Sequence, residues 1–127
     1  MITRTIPKHE WKDFFDQLSR ELIDWEVTVE VISGDVGAQM LSEGLAFAGI
    51  TYEDDKIDMI EIELGDSVSN QAHNIARPVA VSFQSSGNGP KGILEIEDGI
   101  GAKTLIRFIR PYPVPAERTK TEIVSAK

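Results

Sequence analysis

Few side chains in this sequence could do chemistry, and the densest group of them is the run HNIAR, residues 73–77. Histidine has an ordinary pKa close to neutral pH, while an asparagine amide and an arginine guanidinium donate hydrogen bonds to anions. His73 is also the only candidate base in the part of the chain whose pattern predicts a sheet. Two interpretations follow. Either His73, Asn74 and Arg77 form a ligand-binding site, or His73 and Asn74 only make structural hydrogen bonds at the start of a strand.

The remaining reactive side chains predict neither a catalytic centre nor a metal site. No serine stands in a nucleophile-elbow motif. Glu61 and Glu63 share a strand face, so the sequence leaves open a carboxylate pair of the glycosidase type, but they also alternate as ordinary solvent-facing residues do. The acidic cluster in residues 53–58 lacks the aspartate spacing of a calcium loop. Zinc would need cysteine or several histidines, whereas the chain has no cysteine and two histidines. We therefore expect no catalytic residue, no metal and no cofactor.

A glycine-containing run, SGDVGAQ at residues 33–39, could be a phosphate-binding loop or a tight turn. A phosphate loop leads from a strand into a helix whose N-terminus faces the ligand. Here the alternating pattern WEVTVEVI precedes the run, and a second extended stretch follows it. The sequence therefore predicts a two-residue hairpin turn at Gly34 and Asp35, with a positive φ at Gly34.

One helix is predicted over residues 7–23, because apolar side chains recur there at helical spacing. From Trp25 onward the period changes to two, which is typical of half-buried strands, and Gly44 and Gly49 interrupt one long apolar run. We predict an α+β fold in which this N-terminal helix packs on a strongly bent antiparallel sheet. The sheet should have six or seven strands and close into a small barrel. The helical apolar residues are Trp11, Phe14, Phe15, Leu18 and Leu22.

The end of the chain predicts a final strand pair and then a tail. The runs ILEIED and KTLIRFIR flank the turn GIGA, and one register sets Leu94 opposite Phe108 and Glu95 opposite Arg107. No internal repeat or second domain is visible, so residues 1–110 should form a single domain. Residues 111–127 read as a proline-rich tail, which is expected to be extended at first and to help an oligomer assemble.

Charge is distributed unevenly along the chain, whose net charge is −8. Residues 24–66 carry twelve acids and one base, whereas residues 67–127 carry five acids and eight bases. A segment this acidic repels phosphate backbones and anionic lipids, so we expect neither nucleic acid nor membrane as a partner. The acidic segment is either a solvated strand face or one half of a complementary contact between subunits. Because no apolar signal core is visible, we expect a cytoplasmic protein.

Three runs of this sequence resemble a family of short bacterial proteins known only as a domain of unknown function. They are WEVTVEVISGDVGAQMLSEGLAFAGITYE, HNIARPVAV and LEIEDGIGAKTLIRF. The resemblance covers roughly residues 3–110, and the run GDVG is its most recognisable part. Since the family brings no known activity, the resemblance implies one bacterial domain and transfers no catalytic residue.

Two functional classes remain open from the sequence. The first is a non-enzymatic binding or assembly module that self-associates into a homo-oligomer. The second is a small ligand-binding protein or enzyme with a site around His73, Asn74 and Arg77. A cavity that contains all three of these side chains would favour the second class.

Overall fold

The computed structural model describes residues 2–66, 68–85 and 91–111. These ranges form eight strands and one α-helix, so the α+β class is confirmed. The α-helix is preceded by a short 3-10 helix (Lys8–Glu10). In chain order the elements are β1 (Ile2–Ile6), α1 (Trp11–Glu21), β2 (Trp25–Ser33), β3 (Gly37–Glu53), β4 (Met59–Gly65), β5 (Asn70–Ala76), β6 (Pro78–Ser85), β7 (Gly92–Asp98) and β8 (Lys103–Pro111).

All eight strands belong to one antiparallel sheet with the order β1-β6-β7-β8-β2-β3-β4-β5. The predicted six or seven strands were too few, because β1 precedes the helix and is only five residues long. The predicted barrel is not confirmed, since β1 and β5 form two open edges within the described residues. The two differences have one cause. Strand β1 pairs with β6, whose other neighbour is β7, and so occupies the edge against which β5 would have to close.

The predicted helix is confirmed, and its apolar stripe is core. Trp11, Phe14, Phe15 and Leu18 are buried, and Leu22 directly after the helix is buried too. These side chains meet aromatic rings of the sheet, as in the edge-to-face pair of Trp11 with Tyr52 at 5.0 Å between ring centroids. The helix therefore covers the apolar face of the bent sheet.

The helix is also joined to β3 by hydrogen bonds. The Ser19 hydroxyl donates to the Ile50 carbonyl at 3.1 Å and accepts from the Ile50 amide at 3.0 Å. An added Cβ at Gly49 would lie 3.8 Å from Ser19 Oγ, which is an ordinary van der Waals contact, so this approach does not require the glycine.

Strand β3 is seventeen residues long and bends the sheet. Its first half pairs with β2 and its second half with β4, and the registers skip Leu41, Gly44 and Ala48. Gly44 adopts a φ of +81° at one of these bulges. Bulges increase local twist and bend the bulged strand, which explains how one strand serves two neighbours in succession.

The β2–β3 turn differs from the prediction. Three residues, Gly34 to Val36, separate the paired Ser33 and Gly37, and the positive φ of +79° belongs to Gly37. The Val36 amide donates to the Ser33 hydroxyl at 3.4 Å. Three-residue connections are a common hairpin alternative to the two-residue type II′ turn, and here the left-handed glycine directly follows the connection. The run SGDVGAQ is therefore a turn, but Gly37 rather than Gly34 is its left-handed residue.

The predicted β7–β8 register was wrong by two residues. Leu94 lies opposite Ile106, and Phe108 lies opposite Gly92. The cause is the turn, where one carboxylate oxygen of Asp98 accepts hydrogen bonds from the amides of Ile100 and Ala102, each at 3.0 Å. A shift of two keeps every side chain on its predicted face, because the side-chain period of a strand is two.

The last strand extends slightly beyond the predicted domain boundary. Strand β8 continues to Pro111, which pairs with Trp25, so the first residue of the predicted tail belongs to the sheet. Residues 112–127 lie outside the described residues, and the predicted docking of the tail lies there with them. Among the described elements, no helix is long and apolar enough to cross a membrane.

Candidate functional site

His73 lies on the inner face of β5 in a small polar cluster. Its Nε2 atom is 3.5 Å from Ser42 Oγ, and the Ser42 hydroxyl donates a hydrogen bond of 2.5 Å to Gln71 Oε1. Ser42 is buried, with 5% of its surface exposed. Gln71 and His73 are two residues apart on β5, so they share a face, and the bulges of β3 place Ser42 against them.

This cluster is not arranged as a nucleophile and its base. A base activates a hydroxyl by accepting its proton, whereas the proton of Ser42 points at Gln71. Burial lowers the pKa of His73, which favours a neutral ring. The structural interpretation of His73 is therefore the one that its contacts support. Sequence reasoning missed Ser42 and Gln71 as its partners, since Ser42 is 31 residues away from His73 and only the bent course of β3 brings it close.

Asn74 and Arg77 lie elsewhere, on an open groove of about 230 Å³ beside the end of β5. The opposite wall of this groove is the β7–β8 turn together with the ends of β2 and β8. His73 does not line the groove, whose β5 wall begins one residue later at Asn74. The structure thus brings Asn74 and Arg77 together and separates them from His73.

Arg77 is the single residue between β5 and β6, and it has a left-handed backbone with φ of +50°. Its amide donates to the Asp58 carbonyl at 2.8 Å, and its carbonyl accepts from the Gly99 amide at 2.9 Å. A positive φ is uncommon for a residue other than glycine, asparagine or aspartate. Hydrogen bonds from two separate loops therefore hold a conformation that arginine adopts at a cost.

Asp58 continues this junction into the core. Its carboxylate accepts a hydrogen bond of 2.7 Å from the Tyr52 hydroxyl, while its carbonyl accepts from Arg77. Burial, together with the Asp58 carboxylate, raises the pKa of Tyr52 to about 12. The tyrosine therefore stays protonated and acts as a hydrogen-bond donor that fixes Asp58.

The acidic residues do not assemble a metal site in the described part of the chain. Within residues 2–66, 68–85 and 91–111, no three histidine, aspartate or glutamate side chains lie close enough to hold an ion. Glu61 and Glu63 point away from the core, as predicted, because Ile60, Ile62 and Leu64 of the same strand point into it.

The basic side chains of β8 are paired with acids of neighbouring strands. Arg110 lies 3.0 Å from Glu26, and Arg107 lies 3.5 Å from Glu30. Lys103 lies 4.0 Å from Glu95 on β7. A protein binds phosphate backbones with cations that it can turn toward them, and these three already face carboxylates. Weak affinity for nucleic acid stays a prediction that this pairing supports.

Comparison with known proteins identifies relatives of this chain, but none of them has a known function. An uncharacterized protein of Aquifex aeolicus (strain VF5) is 30% identical over 115 residues, which cover 91% of this chain and 99% of that protein. No solved structure matches. A family of unknown function, DUF5335, matches residues 2–117. The expected kinship with an uncharacterised bacterial family is thus confirmed, and the chain belongs to the DUF5335 family.

Proposed function

We propose that this protein is a non-enzymatic assembly module that self-associates, and that it works in the cytoplasm. The observation that carries the proposal is an apolar surface on the β2–β3 hairpin. Ile32, Val36 and Met40 have exposed fractions of 38%, 61% and 52%. Large side chains exposed together in this way are typical of surfaces that contact another protein.

The strand register gathers these side chains on one face. Ile32 lies opposite Ala38, and Met40 follows Ala38 by two residues on the same side of β3. Val36 stands in the turn that joins the two strands. We call Ile32, Val36, Ala38 and Met40 the hairpin patch.

The charges around the hairpin patch favour a second copy of this chain as the partner. A two-fold interface sets a surface against itself, so its rim must carry both signs of charge. Lys103 lies opposite Ile32 on β8, Glu30 lies opposite Met40, and Asp35 is in the turn. Both signs of charge therefore border the hairpin patch, as a two-fold interface requires.

An enzymatic role around His73, Asn74 and Arg77 has weaker support. His73 is engaged with Ser42, while Asn74 and Arg77 face a groove that His73 does not reach. General acid–base catalysis needs the base within hydrogen-bond distance of the reacting group, and this separation argues against such an arrangement.

The test is the mass of the protein in solution, measured by light scattering during size-exclusion chromatography at tens of micromolar protein. We expect the full chain to run at twice its mass of 14.1 kDa. Met40→Lys should give the monomer, because it buries a charge in the centre of the interface.

The matched control is Ile23→Lys, which changes a side chain that is 53% exposed and lies between α1 and β2. It should leave the dimer intact, and both variants should keep the far-ultraviolet circular dichroism of the parent. A monomeric parent would refute the proposal, and a dimer that tolerates Met40→Lys would remove the hairpin patch from it.

A further inference from the structure

We propose that the groove between the end of β5 and the β7–β8 turn binds a small molecule that has a carboxylate and a short apolar body. This binding site is independent of self-association through the hairpin patch. Four properties of the groove support it: donors without a partner, an available cation, apolar walls and the backbone of Arg77.

Three donors in the groove walls have no protein partner among the described residues. Asn74, Arg77 and Thr104 all line the groove, and the side chain of none of them takes part in a hydrogen bond or ion pair with the described residues. Thr104 is only 6% exposed, yet no fully buried side-chain oxygen of the described residues lacks a partner. The Thr104 hydroxyl therefore opens onto the groove, where a ligand can reach it.

The groove holds one charge of each sign, and the two differ in whether they already have a hydrogen-bond partner. Arg77 is its cation, and Asp98 is its carboxylate. One oxygen of Asp98 already accepts hydrogen bonds from the amides of Ile100 and Ala102, so this acid is engaged in the turn. The guanidinium remains the charge without a partner, and its planar pair of donors matches a carboxylate in a bidentate arrangement.

The remaining walls are apolar and limit the size of the ligand. Val31 lines one side, and Ile100, which is 84% exposed, stands at the other. The volume of about 230 Å³ lies below that of pockets for drug-sized molecules, which begin at roughly 300 Å³. A short branched carboxylic acid has both the charge and the size that these walls accept.

The backbone of Arg77 indicates that its side chain is needed. Asparagine or glycine would adopt a φ of +50° at lower cost than arginine does. The backbone hydrogen bonds to Asp58 and from Gly99 do not depend on the guanidinium, so they would form with either replacement. An arginine at this position therefore contributes something other than the turn, and Arg77 is one of the residues that line the groove.

The experiment uses isovalerate as the probe, with 3-methyl-1-butanol as its neutral counterpart, at constant ionic strength. Backbone amide signals of the full chain are followed by nuclear magnetic resonance during each titration. Isovalerate should shift the signals of Asn74, Arg77 and Ile100 with a saturating curve, whereas the alcohol should not. Arg77→Asn should weaken binding by roughly tenfold or more, the effect of one charge-assisted hydrogen bond.

Two controls keep the result interpretable. Arg20→Asn removes a cation from the exposed face of α1 and should leave the affinity unchanged. Thr104→Val keeps the side-chain volume and removes only the hydroxyl, so it tests the groove if Arg77→Asn does not fold. Linear shifts without saturation, equal binding of the alcohol, or full affinity in both groove variants would overturn the proposal. The mass of the protein in solution is a separate readout, so self-association and ligand binding in the groove can each fail alone.

Discussion

At the scale of single residues, the two histidines of this chain differ in their surroundings. His73 is half-buried beside Ser42 on the inner face of β5, whereas the side chain of His9 is 80% exposed on the 3-10 turn before α1. Burial lowers the pKa of His73 from its ordinary value of 6.5. The folded protein therefore takes up a proton at this site less readily than the unfolded chain does.

This difference predicts a pH-dependent stability. As the pH falls through 6.5, the ordinary pKa of histidine, the unfolded chain binds a proton first and is favoured. The contribution of His73 is thus complete above that pH and is lost as the pH falls toward its lower folded-state pKa. We expect the urea midpoint of the parent to drop between about pH 7.5 and 5.5, and the drop to shrink in His73→Gln.

Glutamine can still hydrogen-bond to Ser42 but does not titrate, which makes His73→Gln the appropriate replacement. His9→Gln is the matched control, and it should reproduce the slope of the parent. If the urea midpoint of His73→Gln falls with pH as steeply as that of the parent, the buried cluster does not resist protonation.

At the scale of elements, the β2–β3 turn offers two glycines that can be compared directly. Gly37 has a φ of +79°, whereas Gly34 has no positive φ, and an added Cβ would meet nothing within 4 Å at either position. Any difference between the two alanine variants therefore comes from the backbone and not from a clash. We expect Gly37→Ala to lower the free energy of unfolding by about 1 kcal/mol, and Gly34→Ala to leave it nearly unchanged.

Urea unfolding followed by circular dichroism measures both variants. Equal losses of stability would contradict the assignment of the left-handed residue to Gly37. The structure differs here from the sequence-based expectation, which placed the positive φ at Gly34 because it assumed a two-residue turn.

Local pattern was sufficient for the helix and for most strands, but not for features that depend on distant residues. The stripe from Trp11 to Leu22 predicted the buried face of α1, and alternation predicted which side chains of β4 point inward. The pairing of β1 with β6 could not be predicted in this way, because the sequence of a five-residue strand does not show which other strand it will pair with. Without that pairing, closure of the sheet could not be judged.

The candidate site shows the same limit at the level of side chains. Proximity in sequence suggested His73, Asn74 and Arg77 as one group, although alternation along β5 separates His73 from Asn74. Thr104 joins Asn74 and Arg77 only because the β7–β8 turn lies beside the end of β5. No pattern within the run HNIAR could have indicated it.

At the scale of the whole molecule, helix and sheet share one apolar core. Phe14 on α1 lies 6.1 Å from Phe83 on β6, and Phe47 on β3 lies 5.0 Å from Phe108 on β8, between ring centroids. These aromatic contacts join strands from both halves of the sheet to the helix. The described part of the chain should therefore unfold as one cooperative unit, as small single domains usually do.

Phe15 tests this cooperativity, because it is fully buried at the centre of the helical stripe. Replacing it with alanine removes a large side chain and leaves a cavity, which costs about 3–5 kcal/mol. That is a large share of the 5–15 kcal/mol typical of a whole domain, so Phe15→Ala should unfold at a much lower urea concentration.

Tryptophan fluorescence, which reports on Trp11 in the helix and Trp25 in the sheet, should show the same transition as circular dichroism. Asp16→Ala, on the exposed face of α1, should stay within about 0.5 kcal/mol of the parent. Separate transitions in the two signals would mean that α1 and the sheet unfold independently and do not share a core.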